Sequence, residues 1–269
     1  TTNGNGTKVT AVVSNGSQDN IEQMQMNVAQ LGFVQSDVMS YAYNGERLFE
    51  GFPYADFSTV AALYMEQVQI VTCNPDIKTV ADLKGKNVSI GAAGSGVYFN
   101  AIDILGAYDM TENDIKPTYQ SFGDSADALK DEKIDAAFIV AGAPTTAITD
   151  LSTSKAAYLV SIDDAHIQKL LEKSEYYSKT VIPAGTYSTM TTDTTTVAVS
   201  AVIIARDDVS EDDVYKFVKD IFDNAPDLVS SHAKYKELSI EKATSISSVP
   251  YHKGAAKYFE EKGVKVTTK

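Results

Sequence analysis

The first half of the chain alternates short β-rich runs with stretches whose apolar residues recur every three to four positions, the pattern of βα units on a largely parallel sheet. "KVTAVV" (8–13) and "LGFVQ" (31–35) predict strands, and "DNIEQMQMNVAQ" between them predicts a helix with Ile21, Met24 and Val28 on one face. Further strands are expected at "VQIVTC" (68–73), "NVSIG" (87–91), "KPTYQS" (116–121) and "IDAAFIV" (134–140). After "VSIGAAGSG" the residues Val97, Ala101, Ile104, Leu105 and Tyr108 hold the helical period, so the glycine turn opens a helix.

Later, "TTVAVSAVIIA" (195–205) reads as one buried strand, longer than its neighbours, preceded by a Thr-rich surface loop, "STMTTDTTT" (188–196). Ser210 then caps a helix with Val214, Phe217, Val218, Ile221 and Phe222 as its apolar stripe, and the rest of the chain is helical. Two apolar strands, at 68–73 and 195–205, bracket the middle of the sequence. They predict a discontinuous first lobe, 1–72 with 199–269, a second lobe at 73–198, and paired strands between them as the hinge.

Composition narrows the chemistry. Of the 269 residues, 43% are hydrophobic and 22% charged, enough for one or two domains with a full core. Cys73 is alone, and with the scattered His166, His232 and His252 it makes no metal-ligand cluster, which argues against a zinc enzyme. A formal charge of −13 argues against nucleic acid or an anionic membrane as partner and points to small ligands. No apolar stretch approaches the ~20 residues that span a bilayer, and the sequence shows no basic-then-apolar leader.

Four turns that the pattern places between a strand and a helix carry small polar residues: "SNGSQDN" (14–20), "QSD" (35–37), "GAAGSG" (91–96) and "AGAPTT" (141–146). Ligands of open α/β sheets bind at the carboxyl ends of strands, so these turns are expected to line one cleft. The third has Gly91, Gly94 and Gly96 in the order G-x-x-G-x-G, which is neither the dinucleotide fingerprint nor a phosphate-binding P-loop. At the head of a helix, however, the N–H groups of Ser95, Gly96 and Val97 would face outward with the positive end of the helix dipole, a setting for a carboxylate or phosphate; the bland reading is a corner and cap. The only arginines, Arg47 and Arg206, lie outside all four turns, so an anion would be held by amides and hydroxyls. Asp19 and Asp37 are read first as helix N-caps, with a ligand ammonium as the alternative partner.

Catalytic patterns are weaker. His166, His232 and His252 neighbour no nucleophile motif and read as surface or cap residues. The acidic run at 207–213 reads as a solvated helix start. Among the tyrosines Tyr187 stands out, because glycine and proline in "IPAGTYS" fix its loop.

With these blocks in view, "VVSNGSQDN", "LGFVQSDV", "AALYMEQVQIV", "TVADLKGKNVSIGAAGSGVYFNA", "SADALKDEKIDAAFIVAGAPTTAITDL", "VIPAGTYS" and "VPYHKGAAKYFEEKG", the chain resembles the TAXI-type solute receptors of TRAP transporters. They occur in the family's order along nearly the whole sequence. The resemblance implies an α/β protein of the type II periplasmic-binding-protein fold, two lobes joined by crossing hinge strands. It also implies an extracytoplasmic location after removal of a signal peptide, and closure on a small organic acid or an amino acid such as glutamate or glutamine. Delivery to the membrane permease subunits would follow.

By position, the family's cleft falls on Ser14, Asn15, Gly16 and Ser17; on Gln35, Ser36 and Asp37; on Gly94, Ser95, Gly96 and Val97; on Ala141, Gly142 and Pro144; and on Tyr187. The family also has a first strand and helix, joined by a glycine-rich turn, upstream of the segment matching "KVTAVVSNGS"; here only "TTNGNGT" stands there, so the first lobe is expected to lack them. The leading expectation is a binding module without catalysis, cofactor or metal. The alternative is a nucleotide-dependent enzyme using the Gly91–Gly96 turn, and a third reading is the effector-sensing domain of a regulator.

Overall fold

A computed structural model describes residues 8–231 and 233–269. The helices are α1 (Ser17–Gln25), α2 (Ser36–Asn44), α3 (Val97–Ala107), α4 (Phe122–Lys130), α5 (Thr146–Ser154), α6 (Asp164–Lys173), α7 (Glu211–Leu228), α8 (Ile240–Ala243) and α9 (Lys253–Glu261). The strands are β1 (Leu31–Gln35), β2 (Phe57–Thr72), β3 (Asn87–Ser89), β4 (Lys116–Thr118), β5 (Ala136–Ala141), β6 (Tyr158–Leu159), β7 (Ser178–Ile182) and β8 (Thr194–Arg206). They make a mixed α/β fold with one eight-stranded sheet in the order β1-β8-β2-β5-β3-β4, to which β6 is added on β2 and β7 on β8.

The chain divides into two compact units, the described residues up to Tyr64 together with Ser200–Lys269, and Met65–Val199. The strands β2 and β8 each run from one unit into the other. Both are buried along most of their length because both faces are covered, which suppresses the two-residue alternation of a half-exposed strand.

In the first unit β1 pairs antiparallel with β8, Phe33 opposite Ile203 and Gly32 opposite Ile204. Successive side chains point to opposite faces. Gly32 lies under α1, where an added Cβ would stand 2.9 Å from the sulfur of Met24, so the glycine lets the helix sit close. The other face carries Leu63 and Ile203 against Val214 and Val218 of α7 and Tyr258 and Phe259 of α9. Ser210 caps α7 by accepting from the Asp213 amide.

In the second unit β3 runs parallel to β4 and β5, while β2 is antiparallel to β5. Val88, Ile90 and Val68 face α3 and α6 through Val97, Ile104, Leu105 and Ile167. Val71, Ala137 and Ile139 face α4 and α5 through Leu129, Ile148 and Leu151, and Tyr187 joins this second core.

Several expectations are corrected. Residues 8–13 form no strand: only an isolated bridge at Lys8 is present, and Val12 and Val13 are exposed. The first helix starts earlier and ends at Gln25, so Val28 is exposed and not part of its buried face. β2 reaches back to Phe57 and is longer than β8, and Thr194 and Thr196 are buried in β8 and not in a surface loop. His232 lies outside the described residues.

Candidate functional site

In the first unit the predicted turns precede α1 and α2. Gly16 is the N-cap of α1, with φ 121° and ψ −152°, a conformation open to glycine. Its amide donates to Ser14 Oγ at 3.3 Å, and the Asn15 amide donates to Asp19 Oδ2 at 2.8 Å. That bond from the Asn15 N–H, with Gln23 adding a second, holds the Asp19 carboxyl below its usual range. Asp19 is thus a first-turn residue reaching back, and the N-caps of α1 and α2 are Gly16 and Gln35, not Asp19 and Asp37. Without a strand at 8–13, the Ser14–Asn20 turn does not sit at a strand end.

The Ser17 hydroxyl is buried and accepts from the Gln35 amide at 3.0 Å, which ties the start of α1 to the start of α2. Ser36 is also buried and accepts from Ser200 N–H at 3.3 Å. Asp37 is fully buried in the first turn of α2. Gln35 is 4% exposed, and its Oε1 finds no hydrogen-bond partner among the described residues.

In the second unit the glycine turn behaves as its spacing predicts, with one change. Gly91 and Gly94 have φ of 88° and 82°, values that favour glycine. A Cβ on Gly91 would stand 2.5 Å from Val97 Cβ and 2.6 Å from Ser95 Oγ, so the loop folds tightly over it. The Ser95 amide does not face outward: it donates to Ala92 O at 3.0 Å inside the turn. The open amides at the start of α3 are therefore those of Gly96 and Val97, helix-start groups with no intrahelical acceptor. Ser95 is 5% exposed and its hydroxyl has no partner among the described residues.

The loop after β5 is held from below. Ala143 N–H donates to Gln67 Oε1 at 3.0 Å, Thr145 Oγ1 donates to Gly142 O at 3.2 Å, and Gln69 Nε2 donates to Thr145 Oγ1 at 2.8 Å and to Ala141 O at 3.3 Å. The peptide Ala143–Pro144 is cis, and Pro144 is exposed at the tip. Tyr187 is 2% exposed; its hydroxyl donates to Gln69 Oε1 and accepts from Thr145 N–H. Burial pushes that phenol up. Tyr187 thus carries the loop, and its buried hydroxyl is already engaged.

One contrast runs through both units. The helices α4, α6, α7, α8 and α9 start with a side chain bonded to a first-turn amide, from Ser121, Asp163, Ser210, Ser239 and His252 respectively. The starts of α1, α2, α3 and α5 have no such side-chain cap. These are the helices that follow the four predicted turns.

Other candidates resolve into structure. His252 is the buried N-cap of α9, and His166 pairs with Asp163 at 2.7 Å while stacking on Tyr108. Among the described residues no His, Cys, Asp or Glu cluster could hold a metal ion, and no helix is long and apolar enough to cross a membrane. A cavity of about 600 Å³ in the first unit lies between Phe33, Leu63 and Ile203 on the sheet and Phe217, Ile221 and Leu228 on α7. Its lining is mainly apolar, with Tyr64, Asp220, Lys234 and Tyr235 as the polar members, and it includes none of the four predicted turns.

The fold is similar to that of solved binding proteins. Across 93% of this chain and 72% of the other, it matches the alkanesulfonate-binding protein SsuA of Xanthomonas axonopodis pv. citri bound to MOPS, at 16% identity and a TM-score of 0.51. It matches a protein of Bordetella bronchiseptica RB50 over 91% of this chain and 76% of that one, at 14% identity and a TM-score of 0.51. The periplasmic aliphatic sulphonate binding protein SsuA of Escherichia coli is covered over 66% of its length and 91% of this chain, at 16% identity and a TM-score of 0.49. The chain belongs to the NMT1-like family, whose model matches residues 1–263.

Proposed function

We propose that the chain is an extracytoplasmic receptor that captures a small carboxylate or an amino acid of the glutamate or glutamine type and delivers it to TRAP-type permease subunits. The observation that carries the reading is the start of α3, where the Gly96 and Val97 amides stand in a first turn with no side-chain cap, beside the buried hydroxyl of Ser95, which has no partner among the described residues. Buried polar atoms are nearly always bonded, so an unpartnered hydroxyl at a positive helix end asks for an acceptor. In the first unit Gln35 Oε1, buried and without a hydrogen-bond partner among the described residues, asks for a donor.

In this reading the ligand-binding segments are Ser14–Ser17 and Gln35–Asp37 in the first unit and Gly94–Val97 and Ala141–Pro144 in the second. Binding proceeds without catalysis or cofactor. The family supports a solute receptor, and the TAXI-like blocks of the sequence support the TRAP assignment over other permease types. Calorimetry and thermal shift against amino acids and dicarboxylates test it, with mass spectrometry of the copurifying ligand. Saturable heat without turnover is expected; no heat and no stabilisation across the panel would refute it.

A further inference from the structure

Two glutamines stand side by side on β2, opposite the end of β5. Gln67 pairs with Ala141 and Gln69 with Ile139, and strand positions two apart share a face, so both side chains lie on the side of the sheet that carries α5 and Tyr187. β3 and β5 are parallel neighbours, so the loop after β5 leaves from the same edge as the turn that opens α3, the edge at which parallel sheets take ligands.

The two carboxamides are used differently. Gln69 is fully buried and spent at both ends: Oε1 accepts from the Tyr187 hydroxyl, and Nε2 donates to Thr145 Oγ1 at 2.8 Å and to Ala141 O at 3.3 Å. Gln67 belongs to the stretch Tyr64–Gln67, where β2 is half-buried. Its Oε1 accepts from Ala143 N–H at 3.0 Å. A backbone N–H can only donate, so this bond fixes which end of the carboxamide is the oxygen and leaves two donor protons on the other. The oxygen and nitrogen of one amide are about 2 Å apart, which puts Nε2 within about 5 Å of the Ala143 nitrogen. Among the described residues Nε2 has no partner, and neither do the Thr146 and Ala147 amides in the first turn of α5. All of these groups are uncharged donors. Together they suit an oxygen acceptor and offer nothing to an ammonium.

We propose that Gln67 is a ligand-binding residue whose Nε2 donates to an oxygen of the solute, from a carboxylate or a carboxamide, beside the loop after β5. The assignment rests on the receptor reading and adds to it a donor that lies on a strand, outside all four turns.

The test is calorimetry of the wild type, Gln67→Met and Gln67→Glu with L-glutamate and L-glutamine as probes, alongside melting of the three proteins without ligand. Gln67→Met removes both ends of the carboxamide. Gln67→Glu keeps an oxygen for the Ala143 amide and replaces the donors with a second acceptor. Both variants should therefore lose at least about tenfold in affinity for the probe that the wild type binds, while melting within a few degrees of it. A residue that only holds the loop would behave otherwise: Gln67→Glu would bind like the wild type and Gln67→Met alone would weaken, and that result overturns the assignment. Loss in Gln67→Glu alone also overturns it, since repulsion without a lost bond would explain the change. So does a melting temperature lowered by many degrees in both variants, which would give Gln67 to the fold. Heat from neither probe in the wild type overturns the amino-acid reading and this assignment together.

Discussion

The hydroxyl of Tyr187 and the carboxamide of Gln69, 118 positions apart in sequence, are bonded to each other in the interior of the second unit. Tyr187 also accepts the Thr145 amide at 2.8 Å, so one buried phenol fixes both the end of β2 and the start of α5. Tyr187→Phe leaves Gln69 Oε1 and the Thr145 N–H without that partner and is expected to cost about 1–3 kcal/mol in urea unfolding at unchanged m-value. Gln69→Met should cost a similar amount. Because the two share one network, the double variant should lose less than the two single losses added together; strict additivity would show that the bond is not formed.

Gly91 and Gly96 share a turn and are expected to fail in different ways. Gly91 has φ 88° and no room for a Cβ, so Gly91→Ala should destabilise the fold by at least ~1–3 kcal/mol. Gly96 has φ −70° and ψ −23°, ordinary helical values that any residue adopts. Gly96→Ala, the smallest change at this buried position, should therefore leave the melting temperature of the empty protein within a few degrees and reduce the thermal shift produced by ligand. Equal loss of stability at both positions would return the turn to the role of a corner.

What the sequence made legible follows from how local each signal is. The β1 run, the α3 period and the Ser210 cap depend on neighbouring residues and appear where expected. "KVTAVV" has the composition of a strand, but a strand exists only if another pairs with it, and the pairing partner is not written in the six residues. The role of Tyr187 escaped for the same reason: the glycine and proline beside it mark a fixed loop, while the Gln69 that engages its hydroxyl lies on a distant strand.

Asp223 joins α7 to α9. It accepts from Lys219 at 2.5 Å, from Tyr258 at 2.9 Å and from Lys262 at 3.1 Å. The Lys219 bond, opposed by partial burial and aided by Lys262 and Tyr258, brings its carboxyl down to about 2 from an ordinary 3.8. A carboxyl lowered on folding stabilises the native state above its unfolded value and loses that contribution as pH falls through the folded one. The loss should therefore fall between pH 3.8 and about 2. With a third of the side chain exposed the effect is screened, under ~1 kcal/mol. Acid unfolding of Asp223→Asn should show a shallower decline across that window than the wild type; parallel curves would remove the carboxyl from the account.

His252 gives the opposite end of the pH range. Its ring is buried, Nδ1 accepts from Gly254 N–H at 3.2 Å and Nε2 lies 3.1 Å from Val209 O, so the two contacts fix a neutral imidazole with its proton on Nε2. Burial, which outweighs the Val209 carbonyl and the nearby Asp207 and Glu211, lowers the imidazole from its ordinary 6.5. The unfolded chain then binds a proton that the native state refuses, so the stabilisation is complete above 6.5 and declines as pH falls below it. Protonation would also set an N–H at Nδ1 against the Gly254 amide and uncap α9. His252→Asn retains a capping side chain but cannot titrate. Urea midpoints of the wild type should fall between pH ~7 and ~5.5, whereas those of the variant should be lower at pH ~7 and flatter on acidification; a wild-type midpoint that rises over this interval would mean that the native state holds the charged ring.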